Sequence, residues 1–139
     1  MPRSGFQSWW RAVTTRALDR QQRGRAGEAA AGAYLRRIGY EIEATNARFP
    51  VGEIDLVAQE KGVLCFIEVR ARTSARYGTA AESITWRKRQ RFLKAVQWYL
   101  QRRQIPWRGE IRFDVVTIEL QQSARPDVHL IRGAFRSDE

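Results

Sequence analysis

The sequence predicts an α/β domain in which a mixed β-sheet is flanked by helices, in the order α-β-β-β-α-β-β. The chain has 139 residues, 43% of them hydrophobic and 11% aromatic, which suits a single globular domain. Beyond residue 22, two segments carry apolar residues at helical spacing, and five short segments have the composition of strands. Because helices and strands are interspersed, we expect the helices to pack against the sheet.

The elements follow one another with clear start and stop signals. A first helix is predicted from GRAGEAAAGAYLRRIGY, ending at Gly39, and its small residues allow close packing on a sheet. Strands are expected at about 40–48, 53–59 and 63–71, with EKG as the hairpin turn between the last two. The longest helical pattern is ESITWRKRQRFLKAVQWYLQRRQ, which stops before Pro106 and Gly109. Strands at about 110–119 and 128–135 complete the order.

We expect residues 23–139 to form this domain and residues 1–22 to form a basic, Trp-containing extension. Its apolar residues are spaced as in a short amphipathic helix, which either packs on the domain or is a frayed tail: Phe6, Trp9, Trp10, Val13 and Ala17. The extension lacks the continuous apolar run of a signal peptide, and no segment resembles a membrane span. Cys65 is the only cysteine, which excludes an internal disulfide. We therefore expect a cytoplasmic protein without a membrane partner.

The charge of the chain is strongly positive and unevenly distributed. Its formal net charge is +10, with a balance of +6 in residues 1–37, −4 in 38–69, +7 in 70–94 and +1 in the remainder. An acidic pair of strands is thus flanked by two basic segments. Such a field attracts polyanions, most commonly DNA or RNA. The alternative is a solvated basic surface that aids solubility.

The acidic residues of this strand pair lie in its apolar pattern. Side chains alternate along a strand, so Glu53, Asp55 and Val57 are expected on one face and Ile54 on the other, together with Leu56 and Ala58. If Lys61-Gly62 forms a two-residue turn, Asp55 lies opposite Glu68, and Glu53 lies opposite Arg70. The register therefore places two carboxylates side by side.

Two neighbouring carboxylates in an apolar setting need a positive charge to neutralise them. One interpretation is an ion pair, in which Arg70 or Arg72 pairs with Asp55 or Glu68. The other is a divalent cation, most simply Mg²⁺ with Mn²⁺ as a substitute, since Mg²⁺ needs only one or two protein carboxylates. Glu28 falls on the small, apolar side of the first helix, so its carboxylate is expected to point toward the sheet.

The residues between about Gly24 and Phe135 resemble a known bacterial family. The helix with Glu28, then GEIDLV, then FIEVRAR, and then the basic helix after AAESITWRK are similar to the YraN-like proteins. These belong to the PD-(D/E)xK restriction-endonuclease-like superfamily and are related in fold to archaeal Holliday-junction resolvases. The resemblance implies a restriction-endonuclease-like core and nuclease-type chemistry on DNA.

The resemblance also implies roles for individual residues. Asp55 and Glu68 correspond to the metal-binding acids of the motif, and Glu28 corresponds to the helix carboxylate that holds metal-bound water. Arg70 stands where the superfamily has lysine, a departure that matters because arginine does not transfer protons near neutral pH. Lys88 or Lys94 of the long helix is a candidate replacement. The residues expected to contact the nucleic-acid backbone are Arg72, Arg76, Arg87, Lys88, Arg91 and Lys94.

The sequence is thus interpreted as a Mg²⁺-dependent endonuclease-like domain for repair or recombination. No base-reading motif is found, so selectivity for branched, nicked or single-stranded DNA is expected, with Trp86 able to stack on an unpaired base. Resolvase-like action on two strands suggests a homodimer. Two other interpretations stay open: a non-catalytic nucleic-acid-binding module on the same scaffold, and an interaction protein whose Arg-rich faces meet an acidic protein or a membrane surface.

Overall fold

The computed structural model describes residues 20–72, 85–119 and 127–137. Its seven elements are α1 (Arg20–Arg37), β1 (Glu41–Phe49), β2 (Gly52–Glu60), β3 (Val63–Arg72), α2 (Trp86–Arg102), β4 (Ile111–Glu119) and β5 (Asp127–Ile131). The predicted order α-β-β-β-α-β-β is confirmed, and the arrangement is consistent with a restriction-endonuclease-like fold. The predicted extension, apart from the start of α1 at Arg20, lies outside the described residues.

The five strands form one mixed sheet in the order β1-β2-β3-β4-β5. β1, β2 and β3 are antiparallel neighbours, β3 and β4 run parallel, and β5 is antiparallel to β4. A parallel pair needs a crossover connection, and α2 lies in the connection between β3 and β4. The sheet is therefore mixed, as the sequence predicts.

Each face of the sheet is covered by one helix. On the α1 face, Ala31 and Leu35 are fully buried against apolar side chains of β2, β3 and β4. On the α2 face, Phe92 and Val96 pack on a second cluster that includes Phe66 of β3. The two clusters bury the centre of the sheet on both sides. No helix in the described ranges is long and apolar enough to cross a membrane.

The turn between β2 and β3 is the predicted two-residue turn. Lys61 and Gly62 both have positive φ angles, 50° and 79°, as a tight hairpin of this type requires. Glu60 pairs with Val63 and Leu56 pairs with Ile67, so the hairpin register is the predicted one.

Two predicted element boundaries differ from the structure: the end of β5 and the start of α2. β5 ends at Ile131 rather than near 135, because Gly133 turns the chain with a φ of 60° and Phe135 then packs into the α2-face core. α2 begins at Trp86, where the Thr85 hydroxyl caps the helix by accepting a hydrogen bond from the Lys88 N–H.

A buried ionic network stabilises the end of the sheet at the β2–β3 turn. Arg112 donates hydrogen bonds to Glu60 at 2.8 Å and to Asp114 at 2.8 and 2.9 Å, and Arg132 adds two more to Glu60. Tyr40 donates to Asp114, which is fully buried. Hydrogen bonds from Arg132 and Arg112 lower the pKa of Glu60 to about 2. The acids at this end are matched by arginines.

Candidate functional site

Asp55 lies at a fork where β2 separates from β3, while β2 misses only one pair with β1. In the β1–β2 ladder, the pairs Thr45–Leu56 and Ala47–Ile54 flank the position of Asp55, which is skipped. In the β2–β3 ladder, pairing begins only at Leu56. Instead of continuing the ladder, the β3 backbone donates a hydrogen bond from the Val69 N–H to the Asp55 carboxylate, at 2.8 Å. Asp55 thus contacts β3 next to Glu68, as predicted, but through the Asp55 side chain and not through a backbone pair.

The fork also changes which face the neighbouring side chains use. Asn46, across from Asp55 on β1, has a φ of 52°, in the left-handed region. Ile54 packs with Val57 in the α2-face core, whereas Leu56 packs in the α1-face core. The prediction that Ile54 shares a face with Leu56 is therefore wrong. A distortion of the two strands at this position interrupts their alternation.

Glu28 and Glu68 both contact Asp55. Glu28 is in α1, next to Gly27, which lies against Val69 and Ile118 on the α1 face. Glu68 lies on the other face, beside Phe92 of α2. In their protonated forms, Glu28 and Glu68 each form a side-chain hydrogen bond to the Asp55 carboxylate. The structure thus brings together the three predicted carboxylates, with Asp55 in the middle.

The electrostatics of this carboxylate chain are opposite to those of the network at the other end of the sheet. Burial, and then repulsion by Asp55, raises the pKa of Glu28 to about 7 and that of Glu68 to about 8. Burial also raises the pKa of Asp55. Arginines hold the pKa of Glu60 down, whereas here protons are retained near neutral pH because positive charge is insufficient.

Arg70 forms a long ion pair with Glu68, which lowers the pKa of that carboxyl but does not offset its burial and the repulsion by Asp55. The Arg70 Nε atom lies 3.8 Å from the nearest Glu68 oxygen, beyond hydrogen-bonding distance. The Nε and Nη2 atoms of Arg70 are buried and have no hydrogen-bond acceptor among the described residues. The expected position of Glu53 opposite Arg70 is wrong. Glu53 instead pairs with Arg48 of β1 at 3.4 Å, because the β2–β3 ladder does not extend beyond Leu56.

An open cleft of about 690 Å³ lies beside Glu68 and Arg70 on the α2 face. Among the predicted nucleic-acid contacts, Lys88 and Arg91 line this cleft, while Arg87 and Lys94 are exposed on α2 outside its lining. The Arg72 side chain and Arg76 lie outside the described residues. The opposite wall, which the sequence did not indicate, is formed by the β1–β2 turn and the strand ends on either side of it: Arg48, Phe49, Pro50, Val51, Gly52 and Glu53.

Gly52 fixes the distance between this turn and α2. A Cβ atom at Gly52 would lie 2.7 Å from the carbonyl oxygen of Arg91, so only glycine allows the two backbones to approach this closely. Trp86, at the start of the same helix, is 68% exposed. Trp98 instead packs against Phe49 and beneath the Arg102 guanidinium.

The carboxylates suit a hard divalent cation in their chemistry. Within the described ranges, no three His, Cys, Asp or Glu side chains already surround a common point as the ligands of a bound ion do. Asp55 and Glu68, however, provide two adjacent oxygen donors beside an open cleft, and Mg²⁺ needs few protein ligands because it keeps several waters. In their chemistry these two donors fit Mg²⁺.

Comparison with known proteins gives the family of the chain. Residues 27–118, which span α1 to β4, match the model of the uncharacterised protein family UPF0102. A UPF0102 protein of Moorella thermoacetica is 44% identical over 119 residues, covering 85% of this chain and 98% of the relative. One from Desulfosudis oleivorans is 44% identical over 84% of this chain and 91% of the relative. One from Nocardia farcinica is 37% identical over 88% and 96%. The resemblance to YraN-like proteins is confirmed, and the chain belongs to the UPF0102 family.

Proposed function

We propose that this protein binds DNA in the cleft beside Glu68 and hydrolyses its phosphodiester bonds with the help of Mg²⁺. The observation that carries the proposal is the contact of Asp55 with both Glu28 and Glu68 at the fork between β2 and β3. Desolvating three adjacent acids destabilises the folded protein, and such clusters are typical of functional sites. The simplest function for these carboxylates is to bind a cation.

Each residue has a role that follows from its position. Asp55 and Glu68 hold the cation, and Glu28 accepts a hydrogen bond from a water beside it. When bound, Mg²⁺ acidifies a water and screens the charge of the phosphate. The Val69 N–H fixes the Asp55 carboxylate, so that its free oxygen stays directed toward the site.

The substrate is proposed to be DNA with branches, nicks or unpaired bases, in repair or recombination within the cytoplasm. Contacts to phosphates give affinity without sequence specificity, and the cleft is lined by basic side chains rather than by a base-reading element. The exposed Trp86 ring offers a surface on which an unpaired base can stack.

Cleavage of junction, flap and nicked DNA in the presence of Mg²⁺ or Mn²⁺ tests the proposal. Wild-type protein is expected to cut at least one of these substrates, and EDTA is expected to stop it. Asp55→Asn and Glu68→Gln are expected to lower the rate by at least about a hundredfold. Cleavage that survives both substitutions would come from a contaminant and would overturn the proposal.

A second candidate is a nucleic-acid-binding module without catalysis. It is favoured by Arg70 at the position of the motif lysine, since arginine does not exchange its proton near neutral pH. Arg70→Lys separates the two candidates. Restored lysine is expected to raise metal-dependent cleavage of a functional but handicapped site. An inactive protein that stays inactive after this substitution, but binds DNA, would favour the module.

A further inference from the structure

We propose that Arg70, Lys88 and Arg91 form a phosphate-binding site in the cleft, separate from the carboxylate chain and adjacent to it. This site would hold one phosphate of a nucleic-acid backbone while Asp55 and Glu68 act on a bond beside it. The inference rests on the proposed function for the identity of the ligand, but its geometry stands on Arg70 and the cleft alone.

The first support is the state of the Arg70 guanidinium. Its Nε and Nη2 atoms are buried without an acceptor among the described residues, although a buried donor costs free energy unless it is hydrogen-bonded. The 3.8 Å distance to Glu68 is too long to satisfy them. A phosphate offers two oxygens at the spacing that a guanidinium fork binds. Arg70 lines the cleft with 23% of its side chain exposed, so an anion there meets the accessible part of the side chain, and a rotation of the guanidinium brings the two buried nitrogens to it.

The second support is the convergence of two further cations on the same cleft. Lys88 and Arg91 come from successive turns of α2, and both line the cleft with Arg70. Among the residues that the structure describes, no carboxylate forms an ion pair with either of them. Arg48, also in the lining, is already paired with Glu53. Arg70 is itself 3.8 Å from Glu68, which also lines the cleft, so among the described residues the lining cations without a carboxylate partner are Lys88 and Arg91, and Arg70 adds its unsatisfied donors.

The third support is the way in which the cleft is fixed. The contact of Gly52 with the Arg91 carbonyl sets the position of α2 against the β1–β2 turn. Lys88 also contacts the small cavity between Glu68, Phe92 and Phe135, which places it next to the carboxylate chain. Lys88 is therefore the lysine of the long helix that is positioned to act at the site, whereas Lys94 is outside the lining.

The division of tasks follows from the chemistry of the two cations. Arg70 presents a planar fork of donors that binds an oxygen pair, so it suits the anchoring of a phosphate. Lys88 carries a compact ammonium on a flexible stem at the mouth of the same site. Phosphate binding then requires no metal ion, which separates this inference from hydrolysis in an experiment.

The experiment follows the arginine Nε–H resonances of ¹⁵N-labelled full-length protein in EDTA, during titration with inorganic phosphate. The Arg70 resonance is identified by its disappearance in Arg70→Lys. We expect a saturable shift of this resonance with phosphate and none with sodium chloride at equal ionic strength. A short oligothymidylate should produce the same shift at lower concentration, because a backbone phosphate is the proposed ligand. Failure of phosphate to shift the Arg70 resonance would overturn the site.

Substitutions of exposed cations then test which residues form the phosphate-binding site. Lys88→Gln and Arg91→Gln are each expected to weaken phosphate binding by roughly three- to tenfold. Lys61→Gln at the far hairpin turn and Arg108→Gln in the α2–β4 connection remove the same charges elsewhere and should leave binding within about twofold. Equal losses in all four variants would show a diffuse field and overturn the site. Phosphate binding without metal-dependent cleavage would overturn the proposed hydrolysis only.

Discussion

The Asp55 carboxylate accepts a hydrogen bond from the Val69 backbone N–H at 2.8 Å, at the position where the β2–β3 ladder ends. A side chain thereby replaces a backbone partner, and the two strands separate without leaving the Val69 N–H unsatisfied. The same bond fixes the central acid between Glu28 on one face and Glu68 on the other. The account of the site depends on this arrangement.

The first prediction is that Asp55→Asn makes the metal-free protein more stable. Asparagine keeps a carbonyl oxygen for the Val69 N–H but removes the charge that repels Glu28 and Glu68. We expect the free energy of unfolding in EDTA at pH 8 to rise by on the order of 1 kcal/mol. Denaturant unfolding measures it, with Glu110→Gln, an exposed acid near the far turn, as the control. A loss of stability at pH 8 would mean that the carboxylate charge is well compensated.

The second prediction has the opposite sign at the other end of the sheet. Glu60→Gln breaks the pairing of a buried acid with Arg112 and Arg132 and leaves the donors of these two arginines with fewer acceptors. We expect a loss of about 1–3 kcal/mol at pH 7, measured by the same denaturant unfolding. The pKa of Glu60 is lowered to about 2, so this contribution is present above about pH 4.5 and is lost as the pH falls toward 2. A neutral effect at pH 7 would contradict the structural role of the network.

The third prediction concerns the pH dependence of stability without metal. The pKa of Glu68 is raised from 4.5 to about 8, so the folded protein holds a proton that the unfolded chain releases. Stability is therefore expected to fall as the pH rises from about 4.5 to about 8, and Glu28, with a pKa of about 7, adds to the same trend. Glu68→Gln should flatten the profile in this window. An identical slope in wild type and variant would refute the shift.

The fourth prediction concerns Gly52, which touches the α2 backbone. Gly52→Ala places a methyl group 2.7 Å from the Arg91 carbonyl oxygen, so the helix or the β1–β2 turn has to move. We expect a loss of roughly 1–3 kcal/mol and weaker binding of phosphate and DNA, because Arg91 is displaced. Gly39→Ala, at a helix end with open space around its Cβ, is the control for glycine loss alone. Alanine at a φ of 105° is strained, so Gly39→Ala is also expected to lose stability, and the comparison uses DNA affinity instead. Equal DNA affinity in both variants would argue against a special role for Gly52.

Much of the fold could be predicted because local signals carried it. The Lys61-Gly62 turn set the hairpin register, which brought Asp55 toward β3 near Glu68 as expected. Helical spacing located Glu28 on the side of α1 that faces the sheet. These inferences needed only the periods of helices and strands and one turn type.

The parts that could not be predicted depend on contacts between distant segments. The skipped pairing at Asp55, with Asn46 in a left-handed conformation across from it, changes the face of Ile54 and leaves Glu53 to Arg48. The unsatisfied Arg70 donors arise from burial, which no local pattern reports. Gly52 offered one signal, since a glycine at the start of a strand often marks a close backbone approach.

The most direct test of the central claim is the binding of Mn²⁺ as a substitute for Mg²⁺, measured by electron paramagnetic resonance on wild type, Asp55→Asn, Glu68→Gln and Glu110→Gln. The account predicts a saturable Mn²⁺ site in wild type and in Glu110→Gln, with affinity rising from pH 6 to pH 8.5 as Glu28 and Glu68 release their protons, and loss of that site in Asp55→Asn and Glu68→Gln. Equal Mn²⁺ binding in all four proteins, or none in wild type at pH 8.5, would contradict it.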